Sequence, residues 1–469
     1  MSFVALLTIA FFRQGLSPTC SKFSRRSQGC LFLLVALGLG FVSGCGEDSG
    51  ADSSTPADLP GQPAVDAAGG EPGEPARAPA LVEPYRAMWV LCEGSQRALE
   101  DPVRVEALVE RARALGVSDL FVQVYRGGRA WYDSTRADAG PYRELLQATG
   151  VDTLRQLLTL AHAEDIRVHA WVNVLSLSLN SGASLLDELG REAVLVDRRG
   201  RSILDYPGLE VPPPDAGWYR MGTRGVYLDP AAPGVSERLA AIFAELVERY
   251  PELDGLHLDY IRHPGVLPFV PGSGFGVGLD FGYGAASIER FQRETGLRGP
   301  YRDPLQRDPT SLVNTRRWDA WRREKVSELV ARIRETALGK RPGLLLSAAV
   351  NSYGDRAYLS LQQDWRRWLE DGLLDFAVPM IYTRDDRMFR YQVEAFASGR
   401  DADRIWMGVG SWLFAKDPER ALGQLDTVRA AGSTGEALFS YDSLVEAPEL
   451  YQALVARKDP AERETSEKE

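Results

Sequence analysis

The sequence has little cysteine, little histidine and no cluster of basic residues. Four Cys, at positions 20, 30, 45 and 92, are too few and too irregularly spaced for a disulfide framework or a zinc ribbon. The formal net charge is -11 and no Lys- or Arg-rich run occurs. A nucleic-acid partner is therefore not expected, because binding to the phosphate backbone needs a basic surface. No Gly-rich dinucleotide turn and no P-loop follows the first strand-like segment, which argues against a nucleotide-binding doubly wound fold.

The amino-terminal segment is typical of an export signal. Residues 1–44 contain four basic and no acidic residues, and the apolar run from Leu31 to Val42 is too short to span a bilayer. The run is followed by Ser43-Gly44-Cys45, which resembles the bacterial lipobox. We interpret residues 1–44 as a lipoprotein signal peptide and Cys45 as the lipidated residue, with a plain export signal as the alternative. The expected location is the cell envelope, as an exported lipoprotein of the periplasm or the outer membrane.

Two further segments are expected to lie outside the folded domain. Residues 45–83 form an acidic stretch rich in Pro, Gly and Ala and free of aromatic residues, so they cannot bury enough apolar area to offset chain entropy. We predict a disordered linker there, and a charged tail over 458–469. The folded domain is then expected to occupy 84–457.

Within 84–457, short apolar runs alternate with longer amphipathic ones. This alternation predicts a parallel sheet, and eight such units fit an α/β fold of the (β/α)8 TIM barrel type with long loops after strands 3 and 4. The predicted strands are 86–92, 119–125, 167–174, 255–260, 343–350, 374–381, 404–410 and 436–441.

Alternation along each strand predicts which side chains point into the barrel. Polar and aromatic residues fall at inward positions near the carboxyl ends of several strands, where barrel active sites are built. A polar rim lined by aromatic rings is what a sugar needs, because hydroxyls require hydrogen-bond partners and ring C–H faces stack on aromatics. The residues predicted to bind substrate from this pattern are Gln123, Tyr125, Trp171, Asn173, His257, Asn351 and Tyr382. For the buried His257, a satisfied core histidine is an equal alternative.

Six segments carry a resemblance to a known family. They are RAMWVLCEG, DLFVQVYRGGRAWYDS, AHAEDIRVHAWVNV, GVYLDPAAPGV, LDGLHLDYIRHP and LLDFAVPMIYT. Together, in this order, they resemble the glycosyl hydrolase-like 10 family of exported bacterial barrel proteins. The resemblance implies hydrolysis of glycosidic bonds, with peptidoglycan glycan strands as one possible substrate, and places Asp259 in the active centre. The chain departs from the common family form at Cys92–Arg97 and at the basic loop Arg126–Arg129.

Glycoside hydrolysis needs two carboxyl groups, one ionised and one able to donate a proton. Asp259 is the expected nucleophile or base. Glu93 or Asp385 is the expected general acid, and Asp386 and Asp442 are further carboxylates at strand ends. Sequence spacing leaves retention and inversion open.

Three arginines near the same rim, Arg126, Arg129 and Arg262, are expected to pair with a carboxylated sugar. No cofactor and no metal is expected, since His257-Leu258-Asp259 is the nearest approach to a metal motif. The expected partners are a polysaccharide or peptidoglycan glycan and, through the anchor at Cys45, a membrane. The alternative function is a non-catalytic cell-wall glycan-binding lipoprotein on the same barrel.

Overall fold

Eight parallel strands form the centre of the fold. The computed structural model describes residues 84–457 apart from 214 and 269–277, so the predicted signal peptide, Cys45, the linker and the charged tail lie outside the described residues. In chain order the barrel strands are β1 Tyr85–Val90, β2 Asp119–Arg126, β3 Arg167–Asn173, β4 Gly255–Asp259, β5 Leu345–Asn351, β6 Phe376–Ile381, β7 Trp406–Val409 and β8 Gly435–Leu438.

A helix follows each strand and packs on the outside of the sheet. These helices are α1 Pro102–Ala114, α2 Thr153–Ala163, α3 Val235–Arg249, α4 Thr315–Lys340, α5 Trp365–Glu370, α6 Asp386–Ala397, α7 Pro418–Ala430 and α8 Pro448–Ala456. Further helices lie in the connections, at Gly140–Thr149, Ser184–Leu189, Ala285–Thr295, Gly354–Leu359 and Tyr441–Val445. Among the residues that the structure describes, no helix is both long and apolar enough to cross a bilayer.

The sheet closes on itself, because β1 pairs in parallel with both β8 and β2. Each remaining strand pairs with the next in sequence, so the predicted (β/α)8 barrel is confirmed. The barrel interior is filled by large side chains and small spacers. These residues are Ala87, Trp89, Phe121, Trp171, Ala349, Phe376, Val378, Trp406 and Ala437. The centre is therefore a packed core, and only its upper end, at the carboxyl ends of the strands, is available for a site.

One glycine is required by close packing inside the barrel. A Cβ on Gly255, the first residue of β4, would lie 2.0 Å from Nδ1 of His169 on β3. His169 is fully buried, and its Nε2 bonds Asp119 at 2.8 Å. Hydrogen bonds from His169 and Arg167 lower the pKa of Asp119, against the opposing effect of burial. This ion-paired cluster closes the lower end of the barrel, opposite the site.

A β-bulge in β2 makes the prediction for Tyr125 wrong. The register with β3 shifts between Gln123 and Tyr125, so Val124 is an extra residue on β2. An extra residue reverses the alternation beyond it. Tyr125 therefore points into the layer between strands and helices, where its ring meets Phe243 of α3 at 5.3 Å.

The end of β2 turns back in a two-residue hairpin. Arg126 pairs with Arg129 of the short antiparallel strand Arg129–Ala130. Gly127 and Gly128, which form the turn, have φ angles of 63° and 78°. Two successive positive φ angles are characteristic of a type I′ turn and favour glycine at both positions. The hairpin thus places the two arginines directly opposite each other.

The long connections after β3 and β4 are joined to each other. Tyr219–Met221 from the first connection pairs antiparallel with Val266–Pro268 from the second. A buried ion pair reinforces the second connection, where Arg322 of α4 donates to Asp280 at 2.8 Å. Two loops that share a sheet move less independently than two separate loops, so they form one wall beside the carboxyl end of β4.

Candidate functional site

Asp259, the last residue of β4, lies inside the upper end of the barrel and is 7% exposed. Its Oδ2 accepts a hydrogen bond from Nε1 of Trp171 at 3.2 Å, and its Oδ1 accepts one from the backbone N–H of Tyr260 at 2.6 Å. Burial raises the pKa of Asp259, while Arg262 and the two N–H donors oppose that rise. The carboxyl group is therefore held in a fixed orientation by donors that favour its ionised form.

The chain turns sharply directly after Asp259. Tyr260 has a φ of 50°, in the left-handed region that aromatic residues rarely adopt. Such a conformation costs on the order of 1–3 kcal/mol and concentrates at functional sites. The guanidinium of Arg262 stacks 4.8 Å from the centre of the Tyr260 ring. Arg262 is thus half-buried beside Tyr260, and its positive charge acts to lower the pKa of Asp259 against the effect of burial.

His257 lies one layer below Asp259 and forms part of the floor. The Trp89 indole can only donate, so Nε2 of His257 is the acceptor of their 3.1 Å hydrogen bond. Nδ1 must then carry the proton and donate it to Oγ of Ser347 at 2.8 Å. Burial lowers the pKa of His257 well below its usual value, and the ring is fully enclosed. This geometry corrects the prediction of a substrate contact: the inward direction is right, but both nitrogens are occupied in the core.

Gln123 and Asn173 lie side by side in the upper layer of the barrel. Nε2 of Gln123 donates to Oδ1 of Asn173 at 3.3 Å, and Sγ of Cys92 donates to Oε1 of Gln123 at 3.2 Å. Burial raises the pKa of the Cys92 thiol, so the thiol stays protonated as a donor. Gln123 and Asn173 therefore hold each other in place. Both are buried beneath the mouth, which is the upper end of the barrel at the carboxyl ends of the strands.

Aromatic rings line part of the mouth. The ring of Phe439 lies 6.4 Å from that of Trp171 and 5.6 Å from that of Tyr382. A Cβ on Gly410 would be 3.2 Å from the Tyr382 ring and 3.4 Å from Nε1 of Trp412, so these two side chains flank one short segment. Trp171 and Tyr382 are thus where the alternation predicted them, at the upper end of the barrel.

Glu93 and the hairpin arginines form one ion-paired cluster. Oε2 of Glu93 accepts a hydrogen bond from Arg126, and Oε1 accepts one from Arg129 at 2.6 Å. Each of the three side chains is about one-third exposed. The structure therefore brings together Glu93, Arg126 and Arg129, but both carboxylate oxygens of Glu93 are used in hydrogen bonds to the two arginines. The cluster carries one excess positive charge.

Asp385 occupies a structural position. It is exposed, and its Oδ1 accepts hydrogen bonds from the backbone N–H groups of Arg387 and Met388 at the start of α6. This is helix capping, which satisfies free N–H groups of the first turn. Asp386, the next residue, forms an ion pair with Arg420 of α7. The geometry thus does not support Asp385 as the general acid.

Asn351 and Asp442 lie at the rim on β5 and after β8. Oδ1 of Asn351 accepts from the backbone N–H of Tyr353 at 3.1 Å, so Asn351 shapes the loop after β5. Asp442 is 5% exposed, and its Oδ1 accepts from the backbone N–H of Gln96 at 2.8 Å. Its buried Oδ2 makes no hydrogen bond to any residue in the described ranges, and burial raises the pKa of Asp442.

Two aromatic residues of the site, one in its floor and one at the mouth, were missed by the sequence reasoning. Trp89 supplies the indole that fixes His257, and Phe439 joins the aromatic wall. Trp89 shares its face of β1 with Ala87, so strand alternation applied to β1 would have found it. Phe439 lies just beyond β8, where alternation no longer applies.

Within the part of the chain that the structure describes, no group of three or more His, Cys, Asp or Glu side chains is arranged to hold a metal ion.

Comparison with known proteins identifies relatives of this chain. Residues 84–405 match the sequence pattern of the family described as glycosyl hydrolase-like 10. The glycosyl hydrolase DigH of Escherichia coli strain K12 is 25% identical over 305 residues, which cover 60% of this chain and 58% of that protein. The glycosyl hydrolase YngK of Bacillus subtilis strain 168 is 23% identical over 295 residues, which cover 59% of this chain and 48% of that protein. The chain thus spans about half the length of the curated relatives it matches.

A solved structure shares the architecture. The α-L-fucosidase isoenzyme 2 from Paenibacillus thiaminolyticus superposes with a TM-score of 0.51 at 14% identity, covering 81% of this chain and 50% of that one. At this identity the likeness concerns the fold alone. The family match covers more than half of the sequence and includes β1 to β6 with Asp259. The chain belongs to the glycosyl hydrolase-like 10 family.

Proposed function

We propose that this glycosidase-like chain is an exported enzyme that hydrolyses glycosidic bonds of a polysaccharide, with peptidoglycan glycan strands as the first substrate to test. The observation that carries the proposal is Asp259, a buried carboxyl held by two N–H donors at the mouth of the barrel. Aromatic rings beside it suit the C–H face of a sugar. Its role is that of nucleophile or base, which requires the ionised form.

The second carboxyl group is proposed at Asp442. A proton donor needs a raised pKa, and burial raises that of Asp442. β8 and β4 are four strands apart in the ring of eight, so the loop after β8 faces Asp259 across the mouth. Glu93 is less suited because both of its oxygens bond arginines.

The lipid anchor at Cys45 and the location in the cell envelope belong to the same proposal. Their support is the residue pattern of 1–45, which lies outside the described residues. Mass spectrometry of the amino-terminal peptide of the mature protein tests them: an unmodified Cys45 would contradict the anchor.

A non-catalytic glycan-binding lipoprotein is the second candidate function. The observation that favours it is the state of the two predicted acids, since Glu93 is ion-paired and Asp385 caps a helix. A barrel that binds glycan without a proton donor would retain the aromatic mouth and lack turnover.

Replacing Asp259 by Asn separates these functions. We expect turnover to fall by about 10²–10⁴-fold, the usual contribution of an acid or base group, with glycan binding retained. The measurement is mass spectrometry of products released from purified sacculi, both native and stripped of stem peptides. Asp385→Asn is the matched control, because it removes a carboxylate from a helix cap outside the mouth. Absence of turnover in the unsubstituted protein, together with glycan binding, would establish the second candidate.

A further inference from the structure

The Tyr382 hydroxyl is a buried polar group that the proposed chemistry leaves unused. Tyr382 is the first residue after β6, and its ring is packed against Phe439 and Gly410. The ring is packed on these two residues, yet among the residues that the structure describes the hydroxyl oxygen has no hydrogen-bond partner. A buried hydroxyl without a partner destabilises a fold, and phenylalanine at the same position would avoid that cost.

The position of Tyr382 distinguishes it from a packing defect. Tyr125 also has a buried hydroxyl without a partner, but it lies in the layer between strands and helices. Tyr382 lies at the mouth, where its ring is 5.6 Å from that of Phe439. The Phe439 ring is in turn 6.4 Å from that of Trp171, the residue that donates to Asp259. Burial raises the pKa of Tyr382, and the charge of Asp259 adds to that rise. The unsatisfied donor therefore lies in the same part of the mouth as the carboxyl group on which the proposed function depends.

Asp259 has capacity for a further donor. A carboxylate offers about four acceptor sites, and two are used, by the N–H groups of Trp171 and Tyr260. Other titratable or charged groups also interact electrostatically with Asp259. They are Arg262 and Tyr260 in the loop after β4, and Tyr227 in the loop after β3. Arg262 stacks on the Tyr260 ring, and one of its N–H groups donates to the backbone carbonyl of the next residue at 3.5 Å.

We propose that Tyr382 is a positioning residue for Asp259, whose hydroxyl donates a third hydrogen bond to the carboxylate when Asp259 ionises. This inference rests on the proposed function for its catalytic meaning, but the bond itself can be tested without turnover. An O–H donor to an ionised oxygen is among the stronger hydrogen bonds in proteins. It would oppose the effect of burial and keep the carboxylate ionised at lower pH.

The test is Tyr382→Phe, which removes only the hydroxyl, with Tyr125→Phe as the matched control outside the mouth. In protein labelled with ¹³C at the Asp carboxyl carbons, the Asp259 signal is assigned from its absence in Asp259→Asn. We expect the Asp259 pKa to rise by about 1 in Tyr382→Phe and to stay unchanged in Tyr125→Phe. Where Asp259 is protonated, both variants should keep or raise the melting temperature, because each loses an unsatisfied hydroxyl. Where Asp259 is ionised, Tyr382→Phe also loses the proposed bond and should melt at a lower temperature than Tyr125→Phe.

Kinetics provides the second measurement. If the unsubstituted protein is active, the acid limb of kcat/KM against pH should move upward by about one pH unit in Tyr382→Phe, at unchanged KM. An unmoved Asp259 pKa overturns the inference, as does a fall in the melting temperature of Tyr382→Phe that is the same whether Asp259 is protonated or ionised. A rise in KM with no shift of the limb would overturn it too, because it would indicate a ligand contact. Inactivity of the unsubstituted protein on all glycans would contradict the proposed function alone.

Discussion

Glu245 on α3 anchors the loop that follows the arginine hairpin, and its replacement by Gln is the most quantitative prediction. Its two oxygens accept hydrogen bonds from the hydroxyls of Ser134 and Thr135 and from the backbone N–H groups of Thr135 and Arg136, the latter two at 3.0 and 3.1 Å. Gln keeps the size of the side chain, but its NH₂ group cannot accept any of these bonds. One face of the loop would lose its acceptor.

The magnitude follows from the pKa of Glu245. Although burial opposes it, these hydrogen bonds lower the pKa from 4.5 to about 2. A pKa shift of one unit corresponds to about 1.4 kcal/mol, so the shift of the Glu245 pKa corresponds to about 3 kcal/mol of folding free energy. Because the folded-state pKa lies below the unfolded one, this stabilisation is complete above pH 4.5 and is lost as the pH falls toward 2.

The assay is denaturant unfolding of the parent protein and Glu245→Gln across the acid range. We expect the variant to be less stable by about 3 kcal/mol at pH 7 and the difference to vanish near pH 2. Glu248→Gln is the control on the same helix, since Glu248 is 59% exposed and pairs with Lys340 at the surface. A surface substitution of this kind should change stability by less than about 0.5 kcal/mol. A difference between parent and Glu245→Gln that is constant with pH would refute the reasoning.

Two further predictions concern the mouth. Trp171→Phe removes the indole donor to Asp259, so the acid limb of kcat/KM should move upward by about 1–2 pH units. Trp89→Phe is the control: it also replaces a buried indole, but one that bonds His257 and not Asp259, so the acid limb should stay in place. An equal shift of the acid limb in both variants would contradict the role of Trp171 as the donor that keeps Asp259 ionised. Arg129→Ala should lower activity on carboxylated glycans by about tenfold and leave neutral glycans unaffected. Paired assays on a glycan and its carboxyl-reduced form measure this, and an equal loss on both would remove the charge-recognition idea.

Local sequence patterns predicted much of the architecture, because they depend on short-range properties of the chain. Buried parallel strands need continuous apolar runs, and the helices that cover them need an apolar stripe. The alternation of the two therefore showed eight units before any contact was known. The same alternation correctly oriented Trp171, Asn173, His257 and Tyr382, and placed Asp259 at the upper end of β4.

The bulge at Val124 shows where local pattern stops being sufficient. A single unpaired residue reverses the direction of Tyr125, and nothing in the apolar run of β2 indicates it. The bulge is decided by the register with β3, which is a property of two strands and not of one.

Asp259 was predicted from the sequence, because a strand end is a local feature and the motif around it is distinctive. The hydrogen bonds and ion pairs of the residues around it were decided by tertiary structure. Glu93 and Arg129 are 36 residues apart, yet they share an ion pair. Trp89 fixes the proton of His257 across 168 residues. Hydrogen bonds and burial depend on distances in space: pairing of β1 with β2 brings Glu93 to Arg129, and closure of the barrel brings Trp89 to His257.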